Sequence, residues 1–317
     1  MTVKEKKLLF EQNKKIYDSA LLTFLGAEGF DVYNCSLPFT GTDGKTYLYG
    51  RVEDPEEWAS SMVWLFEKTG KDTYSRVANS VTYQLEDPFL QRIHGELILG
   101  GTHVRKSRGQ VETYYGYFFR GDERRMTYFT TGPDYMKDIR LVELENGMIG
   151  VFSRPRKGTY EGGAMSQIGF TVIDTIDALD AKVIAEAPYL KNLLGDGEWG
   201  GVNQAYLLEN GKIGVIGHMS YEDTDANGQL LQVYVNTAFV LDPDTTVATD
   251  PVIIGTKSCY PVQTPKRPFL ADCCFTTGIL PREDGLVDLY SGVGDADQGR
   301  ITIDNPFAGE GKIICLL

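Results

Sequence analysis

The 317-residue chain contains no C-x-x-C pair, which argues against a cysteine-built zinc site. Its five cysteines, Cys35, Cys259, Cys273, Cys274 and Cys315, are odd in number and two are adjacent. A chain of this length does not need disulfides to hold its core, so the pattern predicts reduced thiols and a cytoplasmic location. No apolar run approaches the length that spans a bilayer. The N-terminal "MTVKEKKLLFEQNKKIYDSALLTF" lacks the uninterrupted apolar stretch and cleavage site of a signal peptide. Basic residues are outnumbered, 31 Lys and Arg against 44 Asp and Glu, for a net charge of −13. That deficit speaks against a general nucleic-acid or anionic-membrane binder, because phosphate surfaces are held by clustered cations. A small anionic ligand needs only a few convergent cations and stays open. No low-complexity linker divides the chain, and one domain over residues 1–317 is expected.

What is present supports a globular core: 42 % of residues are apolar and 24 % charged, the ordinary balance. In the N-terminal segment, Leu8, Leu9, Phe10, Ile16, Tyr17, Leu21 and Leu22 fit a helix lying on the main domain. Beyond it, one form recurs five times: a glycine turn, an apolar or aromatic run, then polar residues. The copies are "DGKTYLYGRVE", "HGELILGGTHVR", "NGMIGVFSRPR", "NGKIGVIGHMS" and "DGLVDLYSGVG". Their glycines, Gly44, Gly95, Gly147, Gly211 and Gly285, are separated by 51, 52, 64 and 74 residues. Asp-Gly, Asn-Gly and His-Gly before such a run signal a hairpin, since the turn needs residues that tolerate positive φ. A further strand follows most copies, as in "TYYGYFFR" and "VYVNTAFVLD". The repeat length predicts an all-β, five-bladed β-propeller of four-stranded blades, preceded by a short helical segment. A β-sandwich is the alternative, although its strands usually follow at shorter spacing. Helical signals are few. "DPEEWASS" predicts one turn capped by Asp54, and "APYLKNLLG" a short helix ended by Gly195.

In a propeller the innermost strands surround one axis, and the loops feeding them converge on a central pocket. Those segments carry Asn34 and Arg51, then Glu86 and Asp87, then Lys137, Asp138, Arg154 and Arg156, then Gln204 within "WGGVNQAYL" and His218, and finally Asp272, Asp295 and Asp297. Acids, amides and bases from five distant segments suit a sugar, whose hydroxyls want donors and acceptors. Lys137, Arg154 and His218 add the cations an anionic group would need. Each residue also has a plain structural reading. Asp87 before Pro88 is a common turn cap, a strand histidine such as His218 is often a hydrogen-bonded core residue, and Arg154 and Arg156 could be edge-strand charges. Glu86 reads as a supporting charge beside Asp87. His94 occupies a turn position and is expected to be exposed; His103 is assigned no role.

"LEDPFLQRIHGELIL" resembles the Glu-Asp-Pro strand of glycoside hydrolase family 130, the five-bladed β-mannoside phosphorylases. "GVFSRPR", "GVIGHMSYEDTDANGQLLQVYVNTAFVLDPDT" and "DLYSGVGDADQGRITID" resemble that family's third, fourth and fifth blades, in order from about Val32 onward. The chain is still more similar to a bacterial and trypanosomatid relative, formerly a domain of unknown function, whose trypanosomatid members are mannosyltransferase/phosphorylases that build and degrade β-1,2-mannan. The resemblance implies that Asp87 is the catalytic general acid. It implies phosphate contacts for Lys137, Arg154, His218 and Tyr234. Asn34, Arg51, Glu86, Asp138, Gln204 and Asp295 would serve the mannoside. Gly217 stands where the phosphorylases carry a tyrosine before the histidine, which bears on phosphorolysis against transfer. No metal or organic cofactor is implied. The expected partners are a mannose-containing oligosaccharide and inorganic phosphate or mannose 1-phosphate; a nucleotide-sugar donor and a homo-oligomer stay open. One acid suffices for this chemistry, because phosphate is already a nucleophilic anion, whereas an inverting hydrolase also needs a base to activate water. Glu198 or Asp272 would be that base in a hydrolase of the same architecture. A non-catalytic, carbohydrate-binding propeller is the remaining alternative.

Overall fold

The computed structural model describes residues 1–57, 60–155 and 166–314. Arg156 and Cys315 lie outside the described residues. Five sheets stand around one axis. Blade one has Asp31–Tyr33 and Phe39–Thr40 at the axis, followed outward by Thr46–Glu53, Met62–Gly70 and Thr73–Arg76. Blade two runs outward through Glu86–Ile93, Glu96–Ser107, Gln110–Gly121 and Met126–Thr131. Blade three has Arg140–Glu143, Ile149–Ser153 and Gly169–Ile173. Blade four has Trp199–Leu207, Ile213–Thr224, Leu230–Leu241 and Val252–Gly255. Blade five has Cys274–Pro281, Leu286–Val293 and Asp297–Asp304, and takes its outermost strand, Asp18–Leu21, from the start of the chain.

The five repeat glycines join the inner strand of each blade to the next, all with φ between 77° and 83°. Only glycine adopts that region at no steric cost, which is why the repeat was visible through its turns. The apolar faces do not form one central core. They pack between neighbouring blades: Tyr49 and Leu65 against Leu90 and Leu99, Phe89 and Phe118 against Ile139 and Val151, Phe152 and Phe170 against Val202 and Val215. A larger cluster joins blades four, five and one, including Ile216, Ala238, Ile279, Leu289, Leu48 and Phe66. The axis is therefore left to polar side chains.

Two local expectations need correction. Among the described residues blade three has three full strands, and its outer edge is a short bridged segment: Phe170 N donates to Pro188 O at 2.9 Å and Leu190 N to Ile168 O at 2.8 Å. That edge is "APYLKNLLG", which is therefore not a helix. Pro188 has no N–H to give, and the backbone pairs with the sheet instead. The helix lies just before it, Ala181–Ala185, capped by the Asp180 carboxylate on Val183 N. At "DPEEWASS" the Asp54 carboxylate accepts from Glu56 N at 2.9 Å and caps the expected turn, over the described residues.

The N-terminal helix, Val3–Asn13, has a capping box between Thr2 and Glu5. It docks largely through charge. Lys4, Lys6 and Lys7 reach Asp223, Asp250 and Asp272, while Leu8 and Leu9 remain exposed. The helix ends at Asn13, so Ile16, Tyr17, Leu21 and Leu22, expected in it, belong to loop and strand instead. Among the described residues no helix is long and apolar enough to cross a membrane.

Candidate active site

The residues leading into the inner strands surround a cavity of about 440 Å³ on one face of the propeller. Asn34, Arg51, Asp87, Lys137, Asp138, Arg154, His218, Tyr234 and Asp295 all line it. Four of them have left-handed backbones: Asn34 at φ 45°, Asp87 at 50°, Asp138 at 57° and Asp295 at 53°. Asn and Asp tolerate this region better than other residues with a Cβ. In blade two the irregularity falls between Glu86 and Phe89, and it aims the Asp87 side chain toward the axis.

Asp87 is clasped on one oxygen. Asn34 Nδ2 and Arg51 Nη1 both donate to Asp87 Oδ1 at 2.8 Å. Asn34 fits because Gly292 stands behind it: a Cβ there would lie 1.7 Å from Asn34 Oδ1. Arg51 is itself held by Ser61 at 2.9 Å and reaches Glu53 and Glu86 at 3.4 Å. The Glu86 carboxyl is raised above its ordinary value, chiefly by burial, with Arg51 opposing and Asp87 adding to the rise. Glu86 does not line the cavity; it braces Arg51 from behind. Asp295 lines the cavity, and burial pushes its carboxyl up to about 6 against the pull of Arg51.

The opposite wall is cationic. Arg154 Nη1 donates to Asp138 Oδ2 at 2.8 Å and its Nε to Gly200 O at 2.6 Å. Burial disfavours the charged Asp138 carboxylate, but Arg154 and Lys137 outweigh it and hold the group far below the usual range. Lys137 makes no hydrogen bond or ion pair among the described residues. Burial disfavours its charge, but Asp138, Asp87 and Glu86 together raise its pKa, so it stays an ammonium. Trp199 Nε1 donates to Tyr234 OH at 3.1 Å, fixing that phenol at the rim.

Two sequence expectations change here. His218 was grouped with the cations, but burial and then Arg154 lower its pKa to about 3, so it is a neutral imidazole. Its Nδ1 lies 2.8 Å from Asn203 Oδ1 and its buried Nε2 has no hydrogen-bond partner among the described residues. Gln204 lies below the cavity, its amide donating to Leu90 O at 2.9 Å and Gln91 Oε1 at 2.6 Å; it ties blade four to blade two. Gly217 packs against blade four's own backbone, where a Cβ would meet Gly201 O at 2.4 Å, so no side chain fits at that position in this backbone.

The two carboxylates considered for water activation are occupied elsewhere. Glu198 accepts from Val3 N at 2.6 Å and Gly195 N at 2.9 Å, and Asp272 pairs with Lys7 at 2.6 Å. Neither lines the cavity. His103 contacts Gln84 O and His94 caps an exposed turn at φ 49°, both away from the cavity. Cys35, Cys259, Cys273 and Cys274 are buried, unpaired thiols. No group of three metal-ligating side chains converges among the described residues.

Sequence reasoning missed Glu53 and Lys266. Glu53 Oε2 accepts from Tyr33 OH at 2.6 Å and Lys266 Nζ at 2.5 Å, and its Oε1 from Ser61 at 2.8 Å. Strand alternation could have found Glu53, two residues after Arg51 and so on the same face. Lys266 sits on an irregular loop over the cavity and gave no such signal.

The chain is 56 % identical to MPT-4 of Leishmania mexicana, a mannose phosphorylase whose structure was solved with phosphate ion. The match covers 98 % of this chain and 96 % of that one, at a TM-score of 0.94. A hypothetical protein from Leishmania major is 54 % identical, with 98 % of both chains covered and a TM-score of 0.89. MPT-1 of Leishmania mexicana, a GDP-Man-dependent mannosyltransferase, is 47 % identical over 99 % of this chain and 98 % of its own, with a TM-score of 0.92. No curated protein matches. The family described as "Protein of unknown function (DUF1861)" matches residues 8–309, and with its propeller and this cavity the chain belongs to that family.

Proposed function

We propose that the protein moves mannose between mannose 1-phosphate and a β-1,2-linked mannoside acceptor, with inversion at the anomeric carbon. The observation that carries this reading is the division of one cavity. A carboxylate, Asp87, is held by Asn34 and Arg51 on one wall, and a half-buried ammonium, Lys137, with no hydrogen bond or ion pair among the described residues, lines the other beside Arg154. The relatives that are a mannose phosphorylase and a mannosyltransferase support the same chemistry. In phosphorolysis a phosphate oxygen bonds to the anomeric carbon as the glycosidic C–O bond breaks. Its electron pair goes to the leaving oxygen, which takes a proton from Asp87 directly or through a sugar hydroxyl. In synthesis Asp87 takes the acceptor hydroxyl's proton and phosphate departs. Lys137 and Arg154 hold the phosphate, and His218 Nε2 and Tyr234 OH supply uncharged contacts. Asn34, Asp138 and Asp295 hold the mannose ring.

Lys137→Met separates this reading from hydrolysis. We expect KM for phosphate in phosphorolysis to rise by at least about tenfold, the scale of one charge-assisted hydrogen bond, with KM for the mannoside little changed. An unchanged KM for phosphate, or release of free mannose by the wild type without phosphate, contradicts the proposal.

A further inference from the structure

A second concavity, about 590 Å³, opens beside the cavity at the junction of blades one and five. Three chain segments line both spaces. Asn34 and Tyr33 face the cavity while Asp31 and Val32 line the groove; Asp295 faces the cavity while Asp297 lines the groove; Lys266 and Arg267 face the cavity while Gln263 and Thr264 line the groove. Between the two linings Lys266 Nζ pairs with Asp31 Oδ2 at 3.2 Å and with Glu53 Oε2 at 2.5 Å. The Asp297 carboxylate makes no hydrogen bond or ion pair among the described residues. Gln263 also lines the groove; its amide atoms are closed off from solvent and have no hydrogen-bond partner among the described residues. Phe30, 45 % exposed, is propped edge-on against Trp64 with ring centroids 5.4 Å apart, and Arg76 covers Trp64 at 3.6 Å. The loop that carries Phe30 is closed by Phe30 N on Ala27 O and by Gly26 N on the Glu28 carboxylate.

An exposed ring and a carboxylate without a partner match a pyranose, which offers one apolar face and a rim of hydroxyls. The groove's charged lining, Glu28, Asp31 and Asp297, is acidic, so it repels phosphate and leaves the donor to the cationic wall of the cavity.

We propose that this groove is an acceptor subsite that holds the non-reacting sugar units of a neutral oligosaccharide running outward from Asp87. The inference rests on the mannoside-transfer reading for the identity of the sugar, but the groove's own sugar binding can be measured without activity. Phe30 is exposed and Asp297→Asn is isosteric, so Phe30→Ala and Asp297→Asn are expected to leave the fold intact. The test compares mannobiose with a β-1,2-mannotetraose as acceptors, with mannose 1-phosphate as donor, and titrates the mannotetraose by calorimetry against wild type and both variants. In the wild type KM should be lower for the tetrasaccharide. Each variant should raise that KM and weaken tetrasaccharide binding by at least about tenfold, the worth of one good contact, while kcat and the disaccharide KM stay unchanged. Equal effects on both acceptors, or none on either, overturn the subsite. If the wild type transfers no mannose yet binds the tetrasaccharide and the variants do not, the transfer reading fails and the groove stands. Binding that the variants leave unaltered, or no binding to the wild type, overturns the groove whatever the activity. Displacement of the sugar by an organic diamine at equal concentration would assign the groove to a cation instead.

Discussion

Asn34, Asp87, Asp138 and Asp295 share a backbone state that most residues avoid, and each holds its side chain toward the cavity from a different part of the chain. The conformation costs of order 1 kcal/mol for residues with a Cβ, less for Asn and Asp. Asp295 shows how such placement changes chemistry. Burial raises its carboxyl from 3.8 to about 6. Between those values the folded chain keeps a proton that the unfolded chain has released. Stability contributed by the protonated group is complete below the lower value and is lost as pH rises through the upper one. Asp295→Asn removes this dependence, so its stability relative to wild type should improve between pH 4 and pH 7, by up to about 2 kcal/mol. Thermal denaturation across that range measures it, and a pH-independent difference contradicts the assignment. Much of this constellation was legible because Asn and Asp preceding an apolar run are both turn formers and polar ligands. The neutrality of His218 was not legible, because it comes from burial beside Arg154, a contact across two blades.

At the scale of elements, glycine turns marked the blades, but the ring's closure was hidden. Asp18–Leu21 pairs with Asp297–Asp304 across almost the whole chain, and four residues with mixed polarity carry no strong strand signal. Arg300 locks the junction. Its guanidinium bonds Asp72 at 2.7 Å and Asp18 at 2.9 Å and reaches Asp288 at 3.3 Å, with only 4 % of its side chain exposed. Arg300→Ala removes the one cation the three carboxylates share, leaving Lys71 on Asp18 and Arg282 on Asp288. We expect a loss of about 3 kcal/mol, the lower end for breaking a buried pair because Asp18 is partly exposed. Urea denaturation tests this; a loss below about 0.5 kcal/mol, the size of a surface ion pair, would show that the clasp adds little. The misplaced helix at "APYLKNLLG" has a related cause. Its apolar residues fit a short helix, but a sheet edge needed partners and took the backbone.

Across the whole molecule, charge is sorted rather than uniform. A chain with a net charge of −13 gathers Lys137, Arg154 and Arg140 at its axis, and an acidic groove lies beside them. The sorting follows from blade packing: apolar side chains fill the seams between sheets, so the axis collects the ends of five inner strands and their polar leads. The order of those leads along the chain was enough to suggest a mannoside phosphorylase. Which faces of the strands would meet, and which loop would cover them, depended on long-range contacts that no local pattern encodes. The central claim is that Asp87 moves the proton while phosphate, held by the cations, is the nucleophile or leaving group. The most direct measurement is phosphate release from mannose 1-phosphate in the presence of a mannoside acceptor, with wild type and Asp87→Asn compared at matched stability. The account predicts release by the wild type and a loss of about two to four orders of magnitude in kcat for the variant, the worth of a general acid–base group. Equal rates for the two proteins would contradict it.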